Sequence, residues 1–246
     1  MICSWQVWFL FLSKQCVPTI APLTIMVVSF PPGRKHRGCI EMAMYAKYIL
    51  PRLIDLAMKN KDATRLRAAW IPHARGRVLE VGIGSGLNLP YYSREVQYVY
   101  GVDPSPELQQ MARRRVISGS PAVEFLSQSA EDPLPLADSS VDTVVLTWTL
   151  CSIPNAPRAL DEMKRVLRAE GQLIFVEHGR APDARVRIWQ DRLTPLWKRI
   201  TGGCHLNRKI DDLVTDAGFQ ITELTKSYLP GPRPMTYTYQ GFAQVK

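Results

Sequence analysis

A chain of 246 residues with 46% hydrophobic and 22% charged content suits one sizeable α/β domain with a small appendage, and excludes global disorder. The net charge of +9 is uneven: residues 1–40 carry Lys14, Arg34, Lys35 and Arg37 and no acid, so the rest is only mildly basic and charge does not argue for nucleic acid. The five cysteines, Cys3, Cys16, Cys39, Cys151 and Cys204, are odd in number, widely spaced and without a C-x-x-C pair. They fit neither a disulfide framework nor a standard zinc motif, and a reducing, cytoplasmic setting is the natural reading.

In chain order, residues 1–33 stand apart. SWQVWFLFL and VPTIAPLTIMVVSFPPG are apolar runs divided by Lys14-Gln15, and neither is long enough for a membrane-spanning helix. No positive segment precedes the apolar run, as a signal peptide would require. The stretch 1–40 is thus an apolar and basic extension with three readings. It is a monotopic membrane anchor with Arg34, Lys35 and Arg37 at the lipid surface, a degenerate signal, or not a native part of the protein, the start then being Met26, Met42 or Met44. The last is preferred, because nothing later in the chain depends on the segment.

Residues 41–75 read as a helical N-terminal segment, preferred as a helix packed on the domain, with a lid over a ligand pocket as the functional reading. Tyr45, Tyr48, Ile49, Leu53, Ile54, Leu56 and Ala57 fall at helical spacing, and Pro51 kinks or divides the pattern. From 76 to 246 strand and helix signals alternate, which predicts a mostly parallel sheet with helices on both faces. Strands are expected at 78–81, 98–102, 123–126, 141–147, 171–176, 219–224 and 237–245. Helices are expected after Pro104, with Ser105 as cap, and over 156–167, 185–200 and 211–217, the last ended by Gly218. Leu87-Asn88-Leu89 is read as the opening of a further helix.

The stretch 77–88, RVLEVGIGSGLN, organises the rest. An apolar strand ends in Gly82, Gly84 and Gly86, and glycines at alternate positions let the backbone turn sharply and a ligand approach closely. A nucleotide-like cofactor follows as a first hypothesis. The dinucleotide fingerprint wants a glycine where Leu87 stands, so the spacing is G-x-G-x-G. Asp103 lies about 20 residues beyond Gly82, where a carboxylate accepts the hydroxyl protons of a ribose. This pair alone still admits NAD.

With Ser129-Ala130-Glu131, the Pro133–Leu136 segment and Asp142, the chain resembles the class I S-adenosylmethionine-dependent methyltransferases of the small-molecule type. The resemblance covers roughly 76–180. It implies a Rossmann-like seven-stranded sheet, mostly parallel with helices on both faces and the last strand antiparallel. It also implies S-adenosylmethionine as cofactor, held by Glu80, Gly82, Gly84, Gly86, Asp103, Ser129, Ala130 and Glu131, with Trp148 counted among them. Ser129 departs from the pattern, since many members carry an adenine-contacting Asp there. A narrower resemblance, in LTWTLCSIPN, FVEHGRAPD, WQDRLTPLWKRITGGCHLNR and GPRPMTYTYQGFA, is to the branch containing alkyl-thiol S-methyltransferases and bacterial relatives.

The implied activity is methyl transfer to a small, apolar acceptor, a thiol ahead of a quinone or a phospholipid headgroup. His178 and His205 are the catalytic candidates, His178 as proton acceptor or acceptor-orienting group. Each also reads as a plain structural histidine. Cys151 and Cys204 read as small pocket residues, and their spacing from the histidines argues against a metal. In 185–200 the stripe Val186, Trp189, Leu193, Leu196, Trp197 and Ile200 reads as a helix face packed over the site, or else as a surface for peripheral membrane contact. A non-catalytic membrane- or RNA-binding protein on the same fold is the competing class. A dehydrogenase is disfavoured by Leu87, and the oligomeric state is not legible.

Overall fold

The computed structural model describes residues 44–246; the extension 1–40 lies outside them. A π-helical turn, Tyr45–Ile49, leads into α1 (Leu50–Ala57), with Pro51 in its first turn, where a missing N–H costs nothing. Asn60 then caps α2 (Lys61–Trp70) by accepting from Ala63 N at 2.9 Å, so the helical segment is divided twice, at Pro51 and again before Asn60. The strands are β1 (Gly76–Val81), β2 (Val96–Val102), β3 (Ala122–Leu126), β4 (Val141–Thr147), β5 (Leu167–His178), β6 (Phe219–Tyr228) and β7 (Tyr237–Val245). The remaining helices are α3 (Pro106–Arg113), α4 (Ala156–Val166), α5 (Ala184–Ile200), α6 (Ile210–Asp216) and α7 (Arg233–Thr236). Ser105 caps α3 as its sequence suggests, accepting from Leu108 N at 3.3 Å.

The seven strands form one sheet in the order β3-β2-β1-β4-β5-β7-β6. Only β7 runs antiparallel to its neighbours. The chain steps outward from β1 to β3 and then returns to β4 on the other side of β1. The loops after β1 and β4 therefore part, and such a switch point is where open α/β sheets bind ligands. Neighbouring strand residues serve opposite faces. Leu79, Leu146 and Phe175 pack with Leu160 and Met163 of α4, while Val78, Val145 and Ile174 pack with Leu66 and Trp70 of α2. Each fully buried side chain of this size contributes about 1.5–3 kcal/mol.

Four expectations are corrected. No α-helix follows the glycines; there is only the 3₁₀ turn Leu89–Tyr91, because Asn88 is turned inward and Pro90 offers no N–H. β5 starts at Leu167, and the pairing with β4 slips past the exposed Arg168, Ala169 and Glu170. β6 continues to Tyr228 along β7 although its side chains are largely exposed. In α5 the buried residues are Val186, Gln190 and Thr194, not the whole apolar stripe. Gln190 donates to Gly179 O at 2.9 Å and Pro234 O at 3.1 Å and accepts from Ala181 N, so polar contacts dock the helix. Trp189, Leu196 and Ile200 stay exposed.

Candidate active site

β1 ends at Val81, and Gly82 N and Ile83 N both donate to Val102 O, at 2.7 and 3.1 Å. Gly82 has φ +74°, and a Cβ there would lie 2.1 Å from Thr149 Oγ1. Gly84, at φ +53°, has nothing but Gly82 O within 4 Å of its Cβ position, so space is free beside it. Gly86 packs on Ala112 of α3. Asp103, past the end of β2, closes the turn: Oδ2 accepts from Gly84 N at 2.9 Å and Oδ1 from Ser105 N at 2.8 Å. Burial raises its pKa against the pull of these two bonds.

Glu80 sits beneath this loop, almost wholly buried. Oε1 accepts from Asn88 Nδ2 at 2.8 Å and Oε2 from the Tyr92 hydroxyl at 2.7 Å. Burial pushes its pKa up to about 7, opposed by Tyr92, Asn88 and Arg67. Asn88 also donates to Thr147 Oγ1 and accepts from Arg67 Nε at 3.1 Å. The Arg67 guanidinium lies 4.9 Å from the centroid of Trp148, a residue held at φ +51° past the end of β4. Beyond β3, Ala130 is buried, Ser129 Oγ accepts from Glu131 N, and Glu131 Oε1 accepts from Asn155 N at 2.5 Å.

The ends of β4 and β5 are joined by Glu177, which lies inside β5 with His178. Its buried carboxylate accepts from Thr149, Leu150 and Cys151 N at 2.7, 2.9 and 3.3 Å. Burial still raises its pKa. His178 is buried, with Nδ1 3.6 Å from Cys204 Sγ, which lies 3.4 Å from Cys151 Sγ. His178 Nε2 is buried with no partner. His205 stands outside this group: its N donates to Cys151 O at 2.8 Å and its Nδ1 lies 3.1 Å from the same oxygen. Asp142, by contrast, is at the amino end of β4, accepting from Arg77 N and pairing with Arg168, away from the crevice.

A methyltransferase domain family matches residues 79–175, the span from β1 to β5. The chain is 35% identical over 161 residues to a thiol S-methyltransferase, TMT1B, of Rattus norvegicus, covering 63% of this chain and 64% of that protein's length. It is 33% identical over 169 residues to a phosphatidylethanolamine N-methyltransferase of Cereibacter sphaeroides, covering 68% of this chain and 82% of the relative. The chain belongs to the class I S-adenosylmethionine-dependent methyltransferases. The fold agrees: a chain from the complex between the Haloferax volcanii Trm112 methyltransferase activator and a methyltransferase superposes with a TM-score of 0.61 at 19% identity, covering 83% of this chain and 96% of that one.

The residues of this methyltransferase fit the family's cofactor. The free side of Gly84 is a cradle that any Cβ would enter, and the Asp103 carboxylate is already fixed at its rim. Gly82, Gly84, Gly86 and Asp103 come together, with Ser129–Glu131 at the end of the next strand but one from β1. Trp148 stands at the β4 side. Glu80 lies under the loop, with both oxygens engaged by side chains of the chain itself. Sequence reasoning missed Arg67, Asn88 and Tyr92; only Asn88, between Leu87 and Leu89, stood out as a polar residue in an apolar stretch. It also read the cysteine spacing linearly, whereas the fold gathers Cys151, His178 and Cys204.

Proposed function

We propose that this methyltransferase acts on a small, apolar acceptor, and that the acceptor is a thiol. The observation that carries the reading is the buried, unpartnered Nε2 of His178 at the carboxyl end of β5. A buried polar atom without a partner is costly, and an acceptor sulfur bonded there relieves it. S-adenosylmethionine, when bound, supplies a methyl group activated by its sulfonium sulfur. The chain's own part is placement and exclusion of water: Gly82–Gly86 and Asp103 hold the cofactor, and Ala130 and Trp148 flank it. His178 Nε2–H donates to the acceptor sulfur and favours its thiolate, the proton leaving to solvent. His205 holds the Cys151 loop in place. The named activity of the rat relative supports the thiol.

A lipid amine is the second reading. The bacterial relative's name favours it, as do Trp189, Leu196 and Ile200, exposed on α5 beside Arg192, Lys198 and Arg199. That face suits peripheral contact of a cytoplasmic protein with an anionic membrane. No helix among the described residues is long and apolar enough to cross one. A screen with methyl-labelled S-adenosylmethionine and thiol, quinone and phosphatidylethanolamine acceptors tests both. Label in the thiol, reduced about 100-fold in kcat/KM by His178→Ala, is the expected result. Label in lipid or quinone alone overturns the thiol reading. Cofactor binding with no turnover on any acceptor overturns the enzyme reading in favour of a binding protein.

A further inference from the structure

The loop after β4, the end of β5 and the loop after α5 each deliver one soft or borderline donor to a single point. The ligand atoms of Cys151, His178 and Cys204 all lie within 4.8 Å of one another, two of the residues being buried and Cys204 half-buried. We propose that Cys151, His178 and Cys204 form a binding site for a thiophilic divalent cation, with zinc(II) as its occupant.

The distances, which thiol hydrogen bonds also span, are those an ion requires and are too long for a disulfide. Zinc binds thiolate sulfur at about 2.3 Å and imidazole nitrogen at about 2.0–2.1 Å, so a tetrahedral ion sets two sulfurs about 3.7 Å apart and sulfur about 3.5 Å from nitrogen. Here Cys151 Sγ and Cys204 Sγ are 3.4 Å apart, and Cys204 Sγ is 3.6 Å from His178 Nδ1. A disulfide requires about 2.05 Å and uses only two of the three groups. It leaves the imidazole Nδ1 turned toward sulfurs that no longer need it.

The surroundings hold the donors in place without help from an ion. The three N–H bonds to Glu177 fix the Thr149–Cys151 turn. The two His205 contacts to Cys151 O tie the Cys204 loop to the Cys151 loop. Arg208 Nη1 adds donations to Leu150 O and Ile153 O. Binding releases the two thiol protons, and the divalent ion then neutralises the two thiolates it holds, while the buried Glu177 carboxylate keeps its three backbone N–H donors. Three protein ligands leave a fourth position open, the arrangement of zinc sites that accept an exogenous group. The proposal stands independently of which acceptor is methylated.

Cobalt(II) titration of the reduced full-length protein tests it, read by the sulfur-to-cobalt charge-transfer absorption and by displacement with zinc. The expected result is one equivalent of cobalt with that absorption. It is lost in Cys204→Ser and in His178→Gln, and retained in a variant with Cys3, Cys16 and Cys39 all changed to serine. Zinc affinity in Cys204→Ser falls by more than the roughly 10- to 100-fold that loss of a partner supporting a ligand costs. Far-UV circular dichroism on the metal-free variants checks that they fold. The proposal is overturned if the wild type gives no such absorption. It is equally overturned if Cys204→Ser and His178→Gln keep it, or if mass spectrometry of freshly isolated protein finds a Cys151–Cys204 disulfide.

Discussion

Glu80→Gln turns the buried carboxylate under the glycine loop into a measurable pH signature. In the folded chain its pKa is pushed up to about 7, from an ordinary value of 4.5. Between those values the folded state keeps a proton that the unfolded state has released, so stability falls as pH rises. The slope is about 1.4 kcal/mol per pH unit, and over the window the loss comes to about 3 kcal/mol. Below about pH 4.5 both states are protonated and the contribution is fully present; above about pH 7 it is gone and the curve is flat again. Glutamine mimics the protonated acid. Its Oε1 still accepts from Asn88, and the Tyr92 hydroxyl turns to accept from its amide. Urea unfolding followed by tryptophan fluorescence at steps between about pH 5 and pH 8 is the assay. The variant should gain about 2–3 kcal/mol on the wild type across that range. Titrations of groups that do not interact with Glu80 are shared by both proteins and drop out of the difference. A difference independent of pH refutes the reasoning, because Glu80 would then be ionised throughout.

Gly82→Ala and Gly84→Ala separate packing from conformation. Gly82→Ala meets Thr149 Oγ1 at 2.1 Å with φ +74° and should cost about 2–4 kcal/mol in thermal or urea unfolding, whereas Gly84→Ala has only its φ of +53° to resist and should cost about 1–2 kcal/mol. Both should abolish S-adenosylmethionine binding by calorimetry, Gly84→Ala by filling the cradle; cofactor binding by a folded Gly84→Ala protein would move the ligand elsewhere. Asp103→Ala should weaken that binding about 10-fold or more, since hydrogen bonds to charged groups are worth about 1.5–3 kcal/mol. Leu196→Ser with Trp189→Ser should leave unfolding stability within about 0.5 kcal/mol per site yet reduce co-sedimentation with anionic vesicles; unchanged co-sedimentation would remove α5 as a membrane face.

The elements that sequence specified best are those whose local chemistry and burial agree. β4, over Val141–Thr147, is mostly β-branched with Thr143–Leu146 buried on both faces, and the Ser105-Pro106-Glu107 start of α3 carries its own cap. β6 outran its apolar pattern because an edge strand is held by the ladder to β7, which side chains do not encode. The helix expected after the glycines failed for a different reason. Asn88 is polar and buried, and its bonds to Glu80, Thr147 and Arg67 spend the side chain on three other elements. The glycine loop and Asp103 were legible as one unit because local turn chemistry and a fixed strand spacing define them. The Cys151–His178–Cys204 group was not, since only the sheet order brings its three segments together.

The helical segment before β1, read as packed on the domain or as a lid over the pocket, is tied to the glycine loop by side chains. Ser85 Oγ donates to Asp55 of α1 at 2.6 Å, and Arg115 joins the same carboxylate at 2.8 Å while also donating to Ser85 O. Burial works against the Asp55 charge, yet Lys59, Ser85 and Arg115 together hold its pKa below the ordinary value. On the far side of Gly86, Arg67 of α2 bonds Asn88 and reaches Met58 O at 2.6 Å. Lifting α1 and α2 off the loop breaks the Ser85, Arg115 and Asn88 links at once. At about 1.5 kcal/mol each, the low end for charged partners, that costs about 4.5 kcal/mol. An open state would then be populated at about one part in two thousand. The two helices therefore serve as a fixed outer wall for the glycine loop, and they hold Gly84 in the conformation that keeps its free side clear. The opposite rim is formed by Trp148, held at positive φ, and by α5, which docks through polar contacts of Gln190 instead of a continuous apolar face.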